Sequence, residues 1–301
     1  MKAIRSKYVN QLDGLFHPKG NIAFFDAEFN AGMDNRSGEK ICEIISVGMV
    51  ICDAEYHGIK KYYTLVSPIS KVPVFPLIRE MTGITTEMLE GQPSFAEMSA
   101  KVMELLSKYE VKKIYAWGAA DKHSLLSEKA EYRKKRRSGY QQANKWTYMD
   151  MCTDISGEVS SKMLGIRGGL AINMENLMFL CSIDKKQEHN ALSDANDLYR
   201  CCKFLRKHYP LDDQDVDFSK KRELVNRYYQ ERSTYNSFRR FKATSKGADL
   251  YGKLGKKSKE EDIRLKAFED DIRFLKGEIP FDTEFDSIQE YFRKRTKEKD
   301  I

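Results

Sequence analysis

Residues 21–29 read Asn21-Ile-Ala-Phe-Phe-Asp-Ala-Glu-Phe29, an apolar segment that ends in two carboxylates. The apolar run predicts a short core strand, and side chains alternate between the two faces of a strand. Asp26 and Glu28 are therefore expected on the same face. Neighbouring carboxylates repel each other, and a hard divalent cation offsets that repulsion because carboxylate oxygens are its preferred ligands. An acidic strand end that faces water explains this segment equally well, so the rest of the chain has to decide.

The order of the predicted elements indicates an α/β domain. Strands are expected at residues 22–28, 43–52, 60–66, 111–116 and 146–151. A capping box at Ser94 and Glu97 predicts the start of one helix, Asp121 opens a second, and the amphipathic segment 190–205 forms a third. Three successive strands followed by alternating helices and strands predict a mixed five-stranded sheet flanked by helices.

The charge is distributed unevenly along the 301 residues, whose net charge is +7. Between Phe218 and Lys259 there are thirteen Lys and Arg residues against three acids. We expect a catalytic domain at residues 1–208 with its core from about residue 20, a linker at 209–217, and a charged helical appendage at 218–301. A basic block beside a mildly acidic domain favours a polyanionic partner, with nucleic acid ahead of an anionic membrane surface.

The aromatic residues of this basic block admit two interpretations. Tyr228, Tyr229, Tyr235, Phe238, Phe241 and Tyr251 alternate with arginines and lysines. Aromatic rings can stack on unpaired bases while cations follow the phosphates. The same pattern is produced by helices whose aromatic residues pack on the protein and whose charges are solvated.

The cysteines and the hydropathy pattern predict a cytoplasmic protein. The six cysteines form no CxxC pair and show no zinc-ligand spacing, which indicates reduced and mostly buried thiols. No apolar run approaches the ~20 residues that span a bilayer, and the first twenty residues lack the apolar segment of a secretory signal.

The chemistry-bearing residues occur at three separated places. Asp26 and Glu28 end the first strand, Asp121 follows the Trp117-Gly118 turn, and His189 precedes Asp194 in the segment His189-Asn-Ala-Leu-Ser-Asp194. Four acids can hold two Mg²⁺ or Mn²⁺ ions ~4 Å apart, the arrangement used for phosphodiester cleavage, and a histidine can act as general base. Taken singly, Asp121 would be a helix N-cap and Asp194 a first-turn acid; Asp197, one turn further on, could compete as a ligand.

Together these residues resemble the three motifs of the DnaQ-like 3′–5′ exonucleases of the DEDDh group. Asp26-Ala-Glu28 matches the first motif, Asp121 the second, and His189 to Asp194 the third. The resemblance covers roughly residues 20–208 and implies an RNase H-like fold, Mg²⁺ as cofactor with Mn²⁺ as a substitute, and His189 as the base. The Trp117-Gly118 turn is similar to the branch that includes sporulation-inhibitor-like and histone-mRNA 3′-exonuclease-like enzymes.

The resemblance also implies where the terminal nucleotide binds. Thr82, Gly83 and Ile84 match the Thr-Gly-Ile element of the family's nucleotide pocket, and Phe29 and Trp117 are expected to line it by stacking. Phe29 and Asn30 stand where many members carry threonines, which changes the expected contact with that nucleotide.

The expected function is metal-dependent removal of nucleoside 5′-monophosphates from single-stranded 3′ ends, with RNA slightly favoured over DNA. Two rivals stay open. One is a proofreading exonuclease subunit that binds a polymerase or another protein through the C-terminal helices. The other is a non-catalytic nucleic-acid-binding module, although clustered acids have no reason to persist in a dead site.

Overall fold

A computed structural model describes residues 11–70, 72–134, 145–166, 171–184 and 189–209, together with 218–223, 225, 226 and 229. The strands are β1 (Ile22–Met33), β2 (Lys40–Cys52), β3 (Gly58–Leu65), β4 (Lys113–Ala116) and β5 (Cys152–Asp154). The helices are α1 (Gln11–Phe16), α2 (Pro76–Thr82), α3 (Phe95–Lys108), α4 (Ala120–Lys134), α5 (Tyr148–Met151), α6 (Ser156–Glu158), α7 (Met174–Leu180) and α8 (Ala191–Lys207). A 3₁₀ turn spans Glu87–Leu89 and a π-helical turn spans Val159–Met163.

The five strands form one mixed sheet in the order β3-β2-β1-β4-β5. The first three strands are an antiparallel meander, whereas β4 runs parallel to β1 and β5 runs parallel to β4. This arrangement confirms the predicted mixed five-stranded sheet flanked by helices. The predicted end of the first strand at residue 28 is wrong, because β1 continues to Met33 and the acid pair lies within it. The parallel strand β4 pairs only with Ile22–Phe24 and ends beside these acids, and the carboxyl end of such a strand is a natural place for a site.

The predicted fifth strand at residues 146–151 is wrong. Tyr148–Met151 forms the short helix α5, and the strand is only Cys152–Asp154. Trp146, Tyr148 and Met149 are all buried, and Tyr148 and Met149 are neighbours in sequence. Adjacent buried residues fit a strand that is covered on both faces, as in β2, and they fit a short helix equally well. The apolar residues of this segment therefore do not distinguish the two structures.

The two faces of the sheet are covered by different helices. Ala23, Phe25 and Ala27 of β1 pack in the main core cluster with Phe95 of α3 and Leu125 of α4. Their neighbours Asp26 and Glu28 point to the other face, because side chains alternate along a strand. That face is crossed by α8, which lies against β1 and β2.

Helix α3 begins as the sequence predicts. The Ser94 side chain accepts a hydrogen bond from the Glu97 amide, and the Glu97 carboxylate accepts one from the Ser94 amide. This capping box satisfies two amides that a helix start leaves without partners. The residues that the helical spacing assigns to the core are all buried: Phe95, Met98, Val102, Leu105 and Leu106.

The chain divides into two compact units. The first consists of Met1–Glu158 and Ile183–Tyr209 and contains the sheet. The second consists of Val159–Ser182 and Pro210–Ile301, of which only residues 159–166, 171–182 and the few between 218 and 229 are described. The predicted linker and most of the predicted helical appendage lie outside the described residues. So do five of the six aromatic residues considered for base stacking: Tyr228, Tyr235, Phe238, Phe241 and Tyr251.

Within the second unit, Tyr229 is part of the protein interior. It is 1% exposed, and its hydroxyl accepts hydrogen bonds from the Asn173 amide at 2.9 Å and from Asn176 Nδ2 at 3.1 Å. Phe218 and Val225 are buried as well. For Tyr229 the packing interpretation therefore holds, and its ring is not available for stacking on bases.

Five of the six cysteines are buried and all six are free thiols, in agreement with the prediction of reduced, mostly buried thiols. Among the described residues, the helices are too short or too polar for any of them to cross a membrane.

Candidate active site

Three carboxylates meet over the middle of β1. Asp26 and Glu28 of β1 and Asp194 of α8 each offer an oxygen, and these oxygens lie within 4.8 Å of one another. All three residues are half-buried. Asp26 and Glu28 lie on the same face because side chains alternate along a strand. Asp194 lies close to them because the first turn of α8 passes over β1 and β2. The structure thus brings together three of the four predicted metal-binding acids.

The approach of α8 to the sheet depends on Gly48 of β2, which pairs with Asp26. A Cβ atom at this position would lie 2.1 Å from the carbonyl carbon and oxygen of Ala191 and 2.2 Å from the Leu192 amide nitrogen. Only a residue without a side chain allows the backbone of α8 to lie this close. Asn190 caps the helix with its side-chain oxygen on the Ser193 amide at 3.0 Å. Gly48 allows α8 to lie close to the sheet, and Asn190 fixes where the helix begins. Together they determine the position of Asp194.

Asp121, the fourth predicted acid, contacts β1 next to Asp26 and Glu28 but does not belong to the close group of three acids. Its side chain is 4% exposed, and its Oδ1 accepts a hydrogen bond from the Ala27 amide at 3.1 Å, between Asp26 and Glu28. Burial raises the pKa of Asp121 to about 7; the charges of Glu28 and Asp154 raise it too, whereas hydrogen bonds from the Ala27 and Asp121 amides lower it. Burial and two neighbouring negative charges disfavour the charged form of Asp121, and a nearby cation would stabilise that form.

Asp154 supports the turn that carries Asp121 and was not anticipated from the sequence. Its Oδ1 accepts hydrogen bonds from the Gly118 amide at 2.9 Å and from the Ser156 amide at 2.8 Å. Gly118 has a φ of 107°, a conformation that favours glycine. Asp154 therefore holds the Trp117-Gly118 turn in place. The only sequence signal was an acid at the end of a strand, and that strand was misplaced.

His189 lies immediately before the cap of α8. It is half-buried and has a φ of 50°, the left-handed region that residues other than glycine adopt rarely. Such strained residues concentrate at functional sites, where the surrounding structure maintains the strain. Asn190, the residue that follows, has an extended backbone and is the N-cap of α8.

Asp197, the competing ligand, has a different partner. It is 2% exposed, and its Oδ1 pairs with the Arg200 guanidinium at 3.0 Å. The same guanidinium donates to the Asp184 carbonyl at 3.4 Å, ahead of the segment that leads to His189. The close group of three acids contains Asp194 instead, so the geometry separates the two aspartates of α8.

The residues predicted to bind the terminal nucleotide lie in different local environments. Gly83 ends α2 with a φ of 71°, and the Thr82 hydroxyl donates to the Ile78 carbonyl and accepts from the Ile84 amide. Ile84 is buried against Ile45, Val74 and Leu89 in a small second core cluster. Phe29 packs against the main core cluster, and Trp117 is half-buried at the end of β4.

Asn30 contributes to this region in a way the sequence did not reveal. It is fully buried, its Nδ2 donates to the Pro73 carbonyl at 3.3 Å, and its Oδ1 accepts from the Phe75 amide at 2.9 Å. Asn30 thereby joins the end of β1 to the start of α2. The position where many family members carry threonine is used here to fix the Thr82-Gly83-Ile84 element.

The acid cluster fits a divalent metal. Three carboxylate oxygens within 4.8 Å of one another create mutual repulsion that half-burial makes worse, and an oxygen-binding cation removes it. The set contains oxygen donors alone, which favours Mg²⁺ or Mn²⁺ over zinc or copper.

A mixed sheet in this strand order, with an acid pair on the central strand and a third acid on the helix that crosses it, defines an RNase H-like nuclease fold. The family model of the exonucleases, RNase_T, matches residues 23–201, which is more than half of the chain. The chain therefore belongs to this exonuclease family, and the prediction of a DnaQ-like hydrolytic exonuclease is confirmed at the level of the family. Enzymes of this family depend on divalent metal, in agreement with the acidic cluster.

Solved structures of two exonucleases are similar to this chain. A 3′-exonuclease described for 3′-end specific recognition of histone mRNA stem-loop has a TM-score of 0.51 at 14% identity, covering 63% of this chain and 64% of that chain. Exonuclease I of E. coli in complex with a dT13 oligonucleotide has a TM-score of 0.49 at 16% identity, covering 64% of this chain and 42% of its own. The chain spans less than two thirds of either protein, and the likeness to the 3′-exonuclease supports the fold alone. A search of curated proteins finds no match.

Proposed function

We propose that the chain is a metal-dependent 3′–5′ exonuclease that removes nucleoside 5′-monophosphates from single-stranded ends. The observation that carries this proposal is the meeting of Asp26, Glu28 and Asp194, with Asp121 bonded to the amide between the first two. Membership of the exonuclease family supports hydrolysis of phosphodiester bonds as the reaction. The motif resemblance adds the direction of digestion and the single-stranded substrate.

The acids of this site have one shared task, which is to hold two Mg²⁺ ions. Asp26, Glu28, Asp121 and Asp194 would provide the ligands, with Mn²⁺ as a substitute. When bound, such ions stabilise the charge that develops on the attacking and leaving oxygens of a phosphodiester. Asp154 maintains the position of Asp121 through the Gly118 turn.

His189 acts as the general base in this proposal. One of its ring nitrogens accepts a proton from a water molecule, whose oxygen then forms a bond to the terminal phosphorus. The bond from that phosphorus to the 3′ oxygen of the preceding nucleotide breaks, and this oxygen keeps the bonding electron pair and takes a proton from solvent to become the new 3′-hydroxyl. The released nucleotide carries the 5′-phosphate. The fixed backbone of His189, immediately ahead of α8, keeps the imidazole on the same helix end as Asp194.

The pocket for the terminal nucleotide is assigned to the Thr82-Gly83-Ile84 element with Phe29 and Trp117. Asn30 and the Ile84 cluster make this element a fixed wall next to Glu28. We place RNA slightly ahead of DNA because the Trp117-Gly118 turn resembles the branch of histone-mRNA 3′-exonuclease-like enzymes. A contact to the 2′-hydroxyl would provide the discrimination.

Digestion of 5′-labelled single strands tests the proposal. Matched RNA and DNA oligonucleotides are incubated with the full chain and Mg²⁺, with and without EDTA. We expect labelled products that shorten progressively, release of nucleoside 5′-monophosphates, complete inhibition by EDTA and faster digestion of RNA. Immediate release of the label as a mononucleotide would show the opposite polarity, and digestion that EDTA leaves unchanged would contradict a metal-dependent site.

A further inference from the structure

A second buried acid on α4 lies outside the group of metal-binding residues. Glu128 is two helical turns beyond Asp121, is 5% exposed, and accepts a hydrogen bond from the Ile44 amide of β2 at 2.5 Å. A carboxyl group is rarely buried without a specific partner, because its desolvation is costly. Its partner here is a main-chain amide 84 residues away in the sequence.

The Ile44 amide belongs to a β-bulge next to Glu28. Glu28 pairs with Ser46 but Phe29 pairs with Ile44, so Ile45 is an extra residue on β2. A bulge disrupts the ladder of hydrogen bonds and bends the strand, and such irregularities are common beside active sites. The Glu128 carboxyl provides the acceptor for the Ile44 amide at this position.

The bulge also changes which residues of β2 face each cluster. Val47, Met49 and Ile51 lie in the main core cluster, and continued alternation would place Ile45 there. Instead Ile44 lies in that cluster, and Ile45 packs with Val74 and Ile84 in the second one. Without the extra residue, Ile44 and Ile45 would exchange places, because a one-residue shift reverses every side chain.

Helix α4 is therefore bound to the sheet by two carboxyl groups. One bonds the residue before Glu28 on β1, and the other bonds the β2 residue that pairs with Phe29, the residue after Glu28. Asp121 holds the Ala27 amide of β1, and Glu128 holds the Ile44 amide of β2. The Cys42 thiol and the Ser124 hydroxyl, 3.8 Å apart, add a further contact between β2 and the same helix. Any movement of α4 along the bulge would displace Asp121 relative to Asp26 and Glu28.

We propose that Glu128 is a positioning residue for the metal site, which it builds by fixing the bulge of β2 against α4. This inference rests on the proposed function, since it assumes that Glu28 and Asp121 hold metal. Glu128 itself contacts neither metal nor substrate. Its action is to keep Glu28 and Asp121 at the separation that the ions require.

Glu128 works in this role as a neutral group. Burial raises the pKa of Glu128 to about 8; the Ile44 amide lowers it and the charge of Glu43 raises it. A neutral carboxyl accepts the Ile44 hydrogen bond through one oxygen, and the oxygen of a glutamine amide can accept it equally well. Methionine has a similar length and no strong acceptor, so it removes the hydrogen bond and keeps most of the volume.

The test compares Glu128→Gln, Glu128→Met and a control, Val102→Ala, in the full chain. Val102 is fully buried in α3, so its truncation lowers stability in the same core cluster at a residue that belongs to neither α4 nor β2. Mn²⁺ affinity is measured by calorimetry without nucleic acid, and amide hydrogen exchange of β2 is followed in metal-free protein. Single-strand hydrolysis is measured separately.

For Glu128→Met we expect Mn²⁺ affinity at least about tenfold weaker and faster exchange around Ile44, the size of effect that loss of an outer support has on metal sites. Glu128→Gln and Val102→Ala should stay within about twofold of the wild-type affinity. Unchanged Mn²⁺ affinity in folded Glu128→Met would overturn the inference, as would equal losses in Val102→Ala. If the wild type binds no Mn²⁺ and digests nucleic acid regardless, the proposed function fails instead; tight Mn²⁺ binding with no hydrolysis leaves this inference standing.

Discussion

Asp26→Asn is expected to lower the rate of single-strand hydrolysis at saturating Mg²⁺ by at least about a thousandfold, which corresponds to roughly 4 kcal/mol of transition-state stabilisation. Asp26 pairs with Gly48 in the sheet and lies in the close group of acids with Glu28 and Asp194, with which it would share a cation. Asparagine keeps the volume and the strand pairing but removes one negative charge from the ligand set. The ions would be bound more weakly and held in a changed geometry, so the chemistry should suffer more than substrate binding.

The measurement is a kcat and KM pair on a 5′-labelled strand, together with strand binding in EDTA. Binding in EDTA should be preserved within about threefold, because neutralising an acid reduces repulsion of the phosphates. Asp150→Asn is the matched control, since Asp150 is an exposed acid on α5 and should tolerate the change. Hydrolysis by Asp26→Asn within tenfold of the wild type would remove the proposed mechanism.

Gly48→Ala is expected to destabilise the protein by about 3 kcal/mol or more and to abolish metal binding at the same time. The new methyl group would lie 2.1 Å from the backbone of Ala191, and a backbone segment cannot rotate away as a flexible side chain can. Helix α8 would have to lift from the sheet, and it carries Asp194 with it. A loss of this size lowers Tm by roughly 10 °C in a domain of this length.

Gly157→Ala provides the control for this prediction, because a Cβ atom at Gly157 meets no atom within 4 Å. Thermal unfolding and Mn²⁺ calorimetry are measured on both variants. Gly157→Ala should resemble the wild type in both. A Gly48→Ala protein with normal Tm and normal Mn²⁺ affinity would show that α8 does not need its close approach to β2.

The parts of the fold that depend on residues close together in the sequence could be predicted. The capping box of α3 and the amphipathic helix that begins at Asn190 follow from spacings of three to four residues. The shared face of Asp26 and Glu28 follows from the strand period. The segment 146–151 was expected to be a strand but contains the helix α5, because its adjacent buried residues Tyr148 and Met149 fit either a short helix or a strand covered on both faces, such as β2.

The supports of the site could not be predicted, because each depends on a partner far away in the chain. Asn30 bonds the Phe75 amide, Asp154 bonds the Gly118 amide, and Glu128 bonds the Ile44 amide. Nothing in the local sequence distinguishes these residues from solvated polar ones. Gly48 gave no signal either, since its importance lies in the helix packed on top of it.

Crystals of the full chain grown with Mn²⁺ and measured at the manganese absorption edge test the central claim most directly. We expect two anomalous peaks ~4 Å apart. Both should lie within bonding distance of carboxylate oxygens of Asp26, Glu28, Asp121 and Asp194. Manganese bound elsewhere, with these four carboxylates free of it at saturating Mn²⁺, would contradict the account.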